Sequence, residues 1–158
     1  KWHERLHGQT DFFFQTSIVV VPMVETIRSR AREVKTNFNF LAVDDDSTVL
    51  KIAEVACRPF DLHIKFYQAA SVHTAIDLSK RVAFDLILLD HDIGGVQGWE
   101  LLDYLRPSLL IKPIVLVYSG HVDALSRAAY KERAVHDILQ KPLNISSLGF
   151  SIRRALQI

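Results

Sequence analysis

Apolar runs that stop abruptly at polar residues constrain this chain most. Phe40-Leu41-Ala42-Val43 stops at Asp44 and Asp45. Leu86-Ile87-Leu88-Leu89 stops at Asp90, Ile114 to Tyr118 stops at Ser119, and Asp137 to Gln140 ends at Lys141. Continuous apolar runs of this length, bounded by turn residues, read as strands buried on both faces. Leu62, Ile64 and Phe66 alternate with polar neighbours, as in a half-buried strand. Helical spacing lies between the strands. Ser47 to Arg58 carries Val49, Leu50, Ala53 and Cys57 on one face and ends at Pro59. Ser71 can cap a helix with Val72, Ala75, Ile76 and Leu78. Trp99 to Arg106 is closed by Pro107, Val122 to Arg133 is helical, and Asn144 caps a helix through Leu148, Ile152 and Leu156. Alternating strands and helices imply right-handed crossovers. The fold class is α/β, a doubly wound five-stranded parallel sheet with helices on both faces.

In such a sheet, ligands bind beyond the carboxyl ends of the strands. Asp44, Asp45, Asp90, Ser119 and Lys141 all fall there, so four strands deliver three carboxylates, one hydroxyl and one amine to one edge. Crowded carboxylates repel, and a divalent cation relieves the repulsion. Oxygen-only ligation suits Mg²⁺. A cation, an ammonium and a hydroxyl can each hold one oxygen of a phosphoryl group while an Asp acts as nucleophile.

The segments Phe40 to Ser47, Phe84 to Ile93, Val117 to Gly120 and Gln140-Lys141-Pro142 occur in the order and spacing of the response-regulator receiver domain. The resemblance covers residues 37–158. It implies a flavodoxin-like receiver fold in a two-component phosphorelay, with Asp90 as the phosphoacceptor. It further implies that Asp45 ligates Mg²⁺ directly, that Asp44 acts mainly through a bound water, and that the backbone carbonyl of Asp92 completes the ligands. By the same resemblance, Ser119 is the switch hydroxyl, Lys141 pairs with the phosphoryl group, and Pro142 follows in a cis peptide. Gly98 matches the turn glycine after the phosphoacceptor loop, and Gly120 the small residue that keeps the site open. Implied partners are a sensor histidine kinase or phosphotransfer protein, an unidentified output partner, and a second copy of the chain. The domain is expected to catalyse only its own phosphorylation and slow dephosphorylation.

The chain departs from the family pattern in three places. Gly94 stands where receivers often have Pro, so the Gly94-Gly95 loop is expected to be more mobile. Ile138 holds the switch position usually filled by an aromatic ring, which puts the usual coupling of Ser119 in question. Gln97 stands near a frequent Asp. Two alternatives compete with a working phosphoacceptor. One is a degenerate receiver that serves only as a protein-binding scaffold; Ile138 favours it and the five site residues oppose it. The other is a haloacid-dehalogenase-like phosphohydrolase, suggested by Asp90-His91-Asp92. That class places its D-x-D early and its acidic pair late, the reverse of the order here.

Composition narrows the remaining classes. Hydrophobic residues at 49% exclude a disordered chain. A net charge of +1 is no signature of a nucleic-acid partner. The single cysteine, Cys57, excludes a disulfide framework and reads as core. The longest apolar stretch, Phe12 to Val24, is interrupted by Gln15, Thr16 and Ser17 and is too short to span a bilayer, so a cytoplasmic location is expected. Residues 1–36 form a separate, mostly helical extension or linker, with Met23, Val24, Ile27 and Val34 among Arg28, Arg30, Arg32 and Lys35. With one helix after Lys141, output is expected through partners or an upstream domain. The spacing of His91 to His121 and His136 is no metal pattern, and His91 is expected to be a surface histidine. Trp99 is expected to pack.

Overall fold

The computed structural model describes residues 37–58, 63–142 and 144–158. The expectations for residues 1–36, including the domain boundary drawn there, and for Leu62 lie outside the described residues. Five parallel strands form the sheet: β1 (Asn37–Val43), β2 (His63–Ala69), β3 (Leu86–Asp90), β6 (Ile114–Ser119) and β7 (Asp137–Gln140), in the order β2-β1-β3-β6-β7. The order reverses between β1 and β3, which opens a crevice at their carboxyl ends. Four helices connect these strands, α1 (Ser47–Cys57), α2 (Val72–Ser79), α3 (Gly98–Leu105) and α4 (Ala124–Glu132), and α5 (Ile145–Leu156) follows the last of them. This is the doubly wound α/β class read from the sequence.

The apolar runs are continuous because both sheet faces are covered. Phe40, Ala42, Leu86, Leu88 and Leu116 face a core shared with Leu50 and Ala53 of α1 and Leu148 and Ile152 of α5. Their neighbours Leu41, Val43, Ile87, Leu89, Val115 and Val117 face Ala75 of α2, Leu101 and Leu105 of α3, and Tyr130 of α4. The side chains along each strand alternate between the two cores. Strand β2 lies at the edge, where Ile64 and Phe66 are half-buried and Lys65 is exposed.

Helix starts follow the short polar residues. The side chains of Asp46, Ser71, Asp123 and Asn144 accept hydrogen bonds from the N–H groups of Thr48, Thr74, Ser126 and Ser147. Asp123 therefore starts α4 at Ala124, two residues later than the apolar spacing suggests. Helix α3 stops at Leu105, and Pro107 lies in a 3₁₀ turn over Arg106–Ser108, where its missing N–H costs little.

Two further strands escape the sequence pattern. β4 (Asp92–Ile93) and β5 (Val96–Gln97) pair antiparallel across a two-residue turn, Gly94-Gly95. Both glycines have positive φ, 60° and 85°. That combination is the tight hairpin turn whose twist matches the strands it joins. Where the sequence suggests only a loop, the structure has a hairpin, because positive φ costs glycine little.

Cys57 is buried, and its thiol donates to the Ala53 carbonyl at 3.2 Å. Burial, with the Glu54 charge adding to it, pushes the thiol up to about 12. At neutral pH, iodoacetamide should leave Cys57 unmodified in the folded protein and alkylate it only in denaturant. Equal rates in both states would refute the core assignment.

Candidate functional site

Four strand ends converge on one edge of the sheet. At the end of β1, the Asp44 N–H bonds to the Ala69 carbonyl of β2 at 3.1 Å, which continues the ladder past the last strand residue. The Asp44 side chain is buried, at 2% exposure. Its Oδ1 accepts the Asp46 N–H at 2.7 Å, while Oδ2 is buried with no hydrogen-bond partner among the described residues. Burial pushes the Asp44 carboxyl up to about 6. The Asp46 N–H and Lys141 act against the rise, and the charges of Asp90 and Asp45 add to it. Asp45 is exposed and accepts the Gly94 N–H of the hairpin turn at 3.2 Å.

Asp90 closes β3, the middle strand, and is buried. Its Oδ1 accepts the His91 N–H at 2.7 Å and lies 2.9 Å from Lys141 Nζ. Carboxylate oxygens of Asp44, Asp45 and Asp90 lie within 4.8 Å of one another. Lys141 stands 3.9 Å from Asp44 Oδ2 and 4.5 Å above the Tyr118 ring. Burial alone would lower the lysine, but the hydrogen bond to Asp90 and the charges of Asp90 and Asp44 outweigh it and hold Lys141 above its ordinary range. The Lys141 N–H bonds to the Ser119 carbonyl at 2.8 Å and Gln140 Nε2 to the Gly120 carbonyl at 2.6 Å, which fixes the end of β7 beside the end of β6. The Lys141–Pro142 peptide is cis, as the resemblance implied.

Ser119 is buried at the end of β6. Its hydroxyl donates to the His121 carbonyl at 2.7 Å and accepts the His121 N–H at 3.2 Å, so it is turned into its own loop. Asp92 opens the hairpin, exposed, with its carboxylate accepting the Gly95 N–H at 3.0 Å. Ile138 is half-buried in β7 beside Val117 and packs against the core. Gly120 has open space around it; a Cβ there would meet only Lys141 Cβ, at 4.0 Å.

The arrangement suits a small hard cation. The donors are all oxygens, three carboxylates face one ammonium, and the orphaned Asp44 Oδ2 faces this cluster without a proton donor of its own. The residues fit a cation of the Mg²⁺ type.

His91 departs from the expectation of a surface histidine. Its ring Nδ1 lies 2.6 Å from the Tyr130 hydroxyl of α4, and the two rings meet edge to face at 5.7 Å. Tyr130 is fully buried, so its hydroxyl needs a partner, and His91 is within reach. Gly98 makes room for this contact. A Cβ at Gly98 would lie 2.6 Å from the Asp90 carbonyl oxygen and 2.7 Å from the Tyr130 hydroxyl. Gly98→Ala should therefore lower stability by about 1–3 kcal/mol in urea unfolding, as overpacking of a tight site does. An unchanged midpoint would mean that the neighbours yield without cost. The sequence carries no signal for the His91–Tyr130 pair, since the two residues are 39 positions apart. Trp99 packs as expected, with the Arg133 guanidinium 5.1 Å above its ring.

A family model described as the response regulator receiver domain matches residues 40–153. The heme response regulator HssR of Staphylococcus aureus is 32% identical over 121 residues, which cover 74% of this chain and 50% of that protein. The signal transduction histidine-protein kinase BarA of Escherichia coli is 28% identical over 141 residues, covering 87% of this chain and 14% of BarA. The chain thus spans half or less of the length of these curated relatives. Among solved structures, a CheY-like receiver domain protein from Methanospirillum hungatei superposes with a TM-score of 0.64 at 20% identity, over 76% of this chain and 94% of that one. A Burkholderia pseudomallei response regulator, solved with a phosphorylated aspartic acid, calcium ion and citrate, superposes with a TM-score of 0.63 at 25% identity. It is matched over 76% of this chain and 66% of its own.

Proposed function

The chain belongs to the response regulator receiver domain family of two-component signalling, and from that premise we propose that residues 37–158 accept a phosphoryl group on Asp90 and change partner binding as a result. One observation carries the reading: a buried carboxylate on the middle strand is met by a lysine and two further carboxylates from neighbouring strand ends. The acidic pair after β1 and the acceptor at the end of β3 keep the receiver order, which supports this reading over the phosphohydrolase alternative.

In this reading the donor is a phosphohistidine on a sensor histidine kinase or phosphotransfer protein. An Asp90 oxygen attacks phosphorus, a P–O bond forms, and the P–N bond breaks, its electron pair leaving with the imidazole. The His91 N–H and Lys141 both engage Oδ1, so Oδ2 is the oxygen left to attack. Asp44, Asp45, Asp90 and the Asp92 carbonyl would hold Mg²⁺, which when bound neutralises the crowded carboxylates and the phosphoryl oxygens. Lys141 balances the charge developing on the phosphoryl oxygens. The Ser119 hydroxyl leaves the His121 carbonyl for a phosphoryl oxygen and so exchanges a neutral hydrogen bond for a charge-assisted one. Slow hydrolysis of the acyl phosphate resets the domain. Phosphorylation then biases a two-state equilibrium of the surface formed by α4, β7 and α5, where Ile138 holds the switch position.

In this reading residues 1–36 are an N-terminal extension or linker, and the domain works in the cytoplasm. Among the described residues, no helix is long and apolar enough to cross a membrane. The test uses acetyl phosphate as donor. With Mg²⁺ the native chain should gain one phosphoryl group by intact mass, and a chelator should prevent it. No adduct on the native chain would leave a scaffold that binds partners without phosphorylation.

A further inference from the structure

His91 is the residue through which the site reaches helix α4. Its backbone N–H is shared between Asp90 Oδ1 at 2.7 Å and the Tyr118 carbonyl at 3.1 Å. Its carbonyl accepts the Gly98 N–H at 2.6 Å, where α3 begins. Its ring holds the Tyr130 hydroxyl at 2.6 Å. One residue therefore touches the acceptor carboxylate, strand β6, the start of α3 and the core of α4.

We propose that the His91–Tyr130 hydrogen bond carries the state of Asp90 to α4, in place of the aromatic ring absent at Ile138. This rests on Asp90 being the phosphoacceptor. Ile138 cannot swing a ring, and it is half-buried against the core. Tyr130 is fully buried and belongs to the same core as Leu101 of α3 and Val117 of β6. Phosphorylation raises the charge on Asp90 from −1 to about −2 and adds acceptor oxygens. With the phosphoryl group on Oδ2, the Oδ1 atom that holds the His91 N–H changes from a carboxylate oxygen to an acyl carbonyl oxygen and accepts that bond less strongly. His91 shifts with it, and its ring passes the shift to a buried hydroxyl that also bonds to the Trp99 backbone at the start of α3. Tyr130 feels Asp90 directly as well: burial first, and then the Asp90 charge, hold its phenol well above the usual range, so it keeps its proton. Three residues on, Arg133 caps the same turn of α4: its N–H bonds to the Tyr130 carbonyl at 3.1 Å, and its Nε lies 3.0 Å from Asp103 Oδ1 of α3. The last turn of α4 is thus held by the His91 ring at Tyr130 and by Asp103 of α3 at Arg133.

The test compares the full native chain with Tyr130→Phe and His91→Phe by amide hydrogen exchange, with and without beryllofluoride and Mg²⁺ as a stable mimic of the acyl phosphate. In the native chain, exchange should slow severalfold both in residues 90–97 and 119–121 and in α4. In Tyr130→Phe, which keeps the ring and loses only the hydroxyl, the site response should remain and the α4 response should be lost. His91→Phe cuts the same bond from the other side and should behave alike. If both variants, or whichever of them folds, retain the α4 response at native size, the coupling is overturned while the phosphoacceptor reading stands. A native chain that responds at the site but not in α4 overturns the coupling in the same way. A native chain with no response anywhere overturns both.

Discussion

Asp90→Asn should gain no phosphoryl group from acetyl phosphate and Mg²⁺ under conditions where the native chain gains one. The amide is nearly isosteric and keeps an acceptor for the His91 N–H, which bonds to Oδ1 at 2.7 Å. What it loses is the negative charge and the nucleophilic oxygen, and no neighbour supplies a replacement. Asp44 is buried, Asp45 and Asp92 accept the Gly94 and Gly95 N–H groups of the hairpin turn, and the Ser119 hydroxyl is committed to the His121 carbonyl. Uptake should therefore fall to background rather than by a modest factor. The native adduct should also be labile to hydroxylamine, as an acyl phosphate is and a phosphoserine is not. A stable adduct on the native chain, or equal uptake by the variant, would move the acceptor elsewhere. The variant should stay folded, because Lys141 keeps Asp44 as a counter-charge at 3.9 Å and the Tyr118 ring beneath it.

Asp44→Asn should have the second large effect, with opposite signs in the absence and presence of divalent cation. The Asp44 carboxyl is held at about 6 against its ordinary 3.8. A folded-state value raised this way favours the protonated form. Its contribution to stability is complete below about pH 3.8 and is lost as pH rises through about 6. At neutral pH the ionised, partly orphaned carboxylate then costs up to about 3 kcal/mol, at ~1.4 kcal/mol per pH unit. Without metal, the variant should be more stable than the native chain at pH 7 by up to that amount, and nearly equal to it at pH 4. Adding Mg²⁺ should stabilise the native chain by mass action and leave the variant almost unmoved, so that the order reverses. Urea unfolding at both pH values, in chelator and in Mg²⁺, checks the four combinations. A native chain that is the more stable in chelator at pH 7 would show that burial does not strain Asp44.

The strands were legible because burial on both faces erases alternation. Leu86 to Leu89 and Ile114 to Tyr118 have no polar residue to spare, and the first polar residue after each run marks the sheet edge. The site was legible for the same reason: Asp44, Asp90, Ser119 and Lys141 are strand-end residues, and parallel strands bring their ends together. Three features were not legible. The β4–β5 hairpin has two residues per strand, too few for any period, and it depends on positive φ at Gly94 and Gly95. The orientation of Ser119 depends on the backbone of His121, which spacing does not report. The His91–Tyr130 bond joins side chains on elements that are adjacent only after the sheet has formed. A histidine that looks exposed in the sequence is thereby made part of the wall behind Asp90.

Strand β3 has a ladder on each side, with β1 along Leu86 to Leu89 and with β6 along Leu86 to Asp90. The Asp90 carboxylate thus stands at the end of a strand paired on both sides. Load placed on Asp90 cannot be relieved by sliding or tilting the strand beneath it, because two rows of hydrogen bonds would have to break together. The load is passed to the rim, to the loops after β1, β3, β6 and β7.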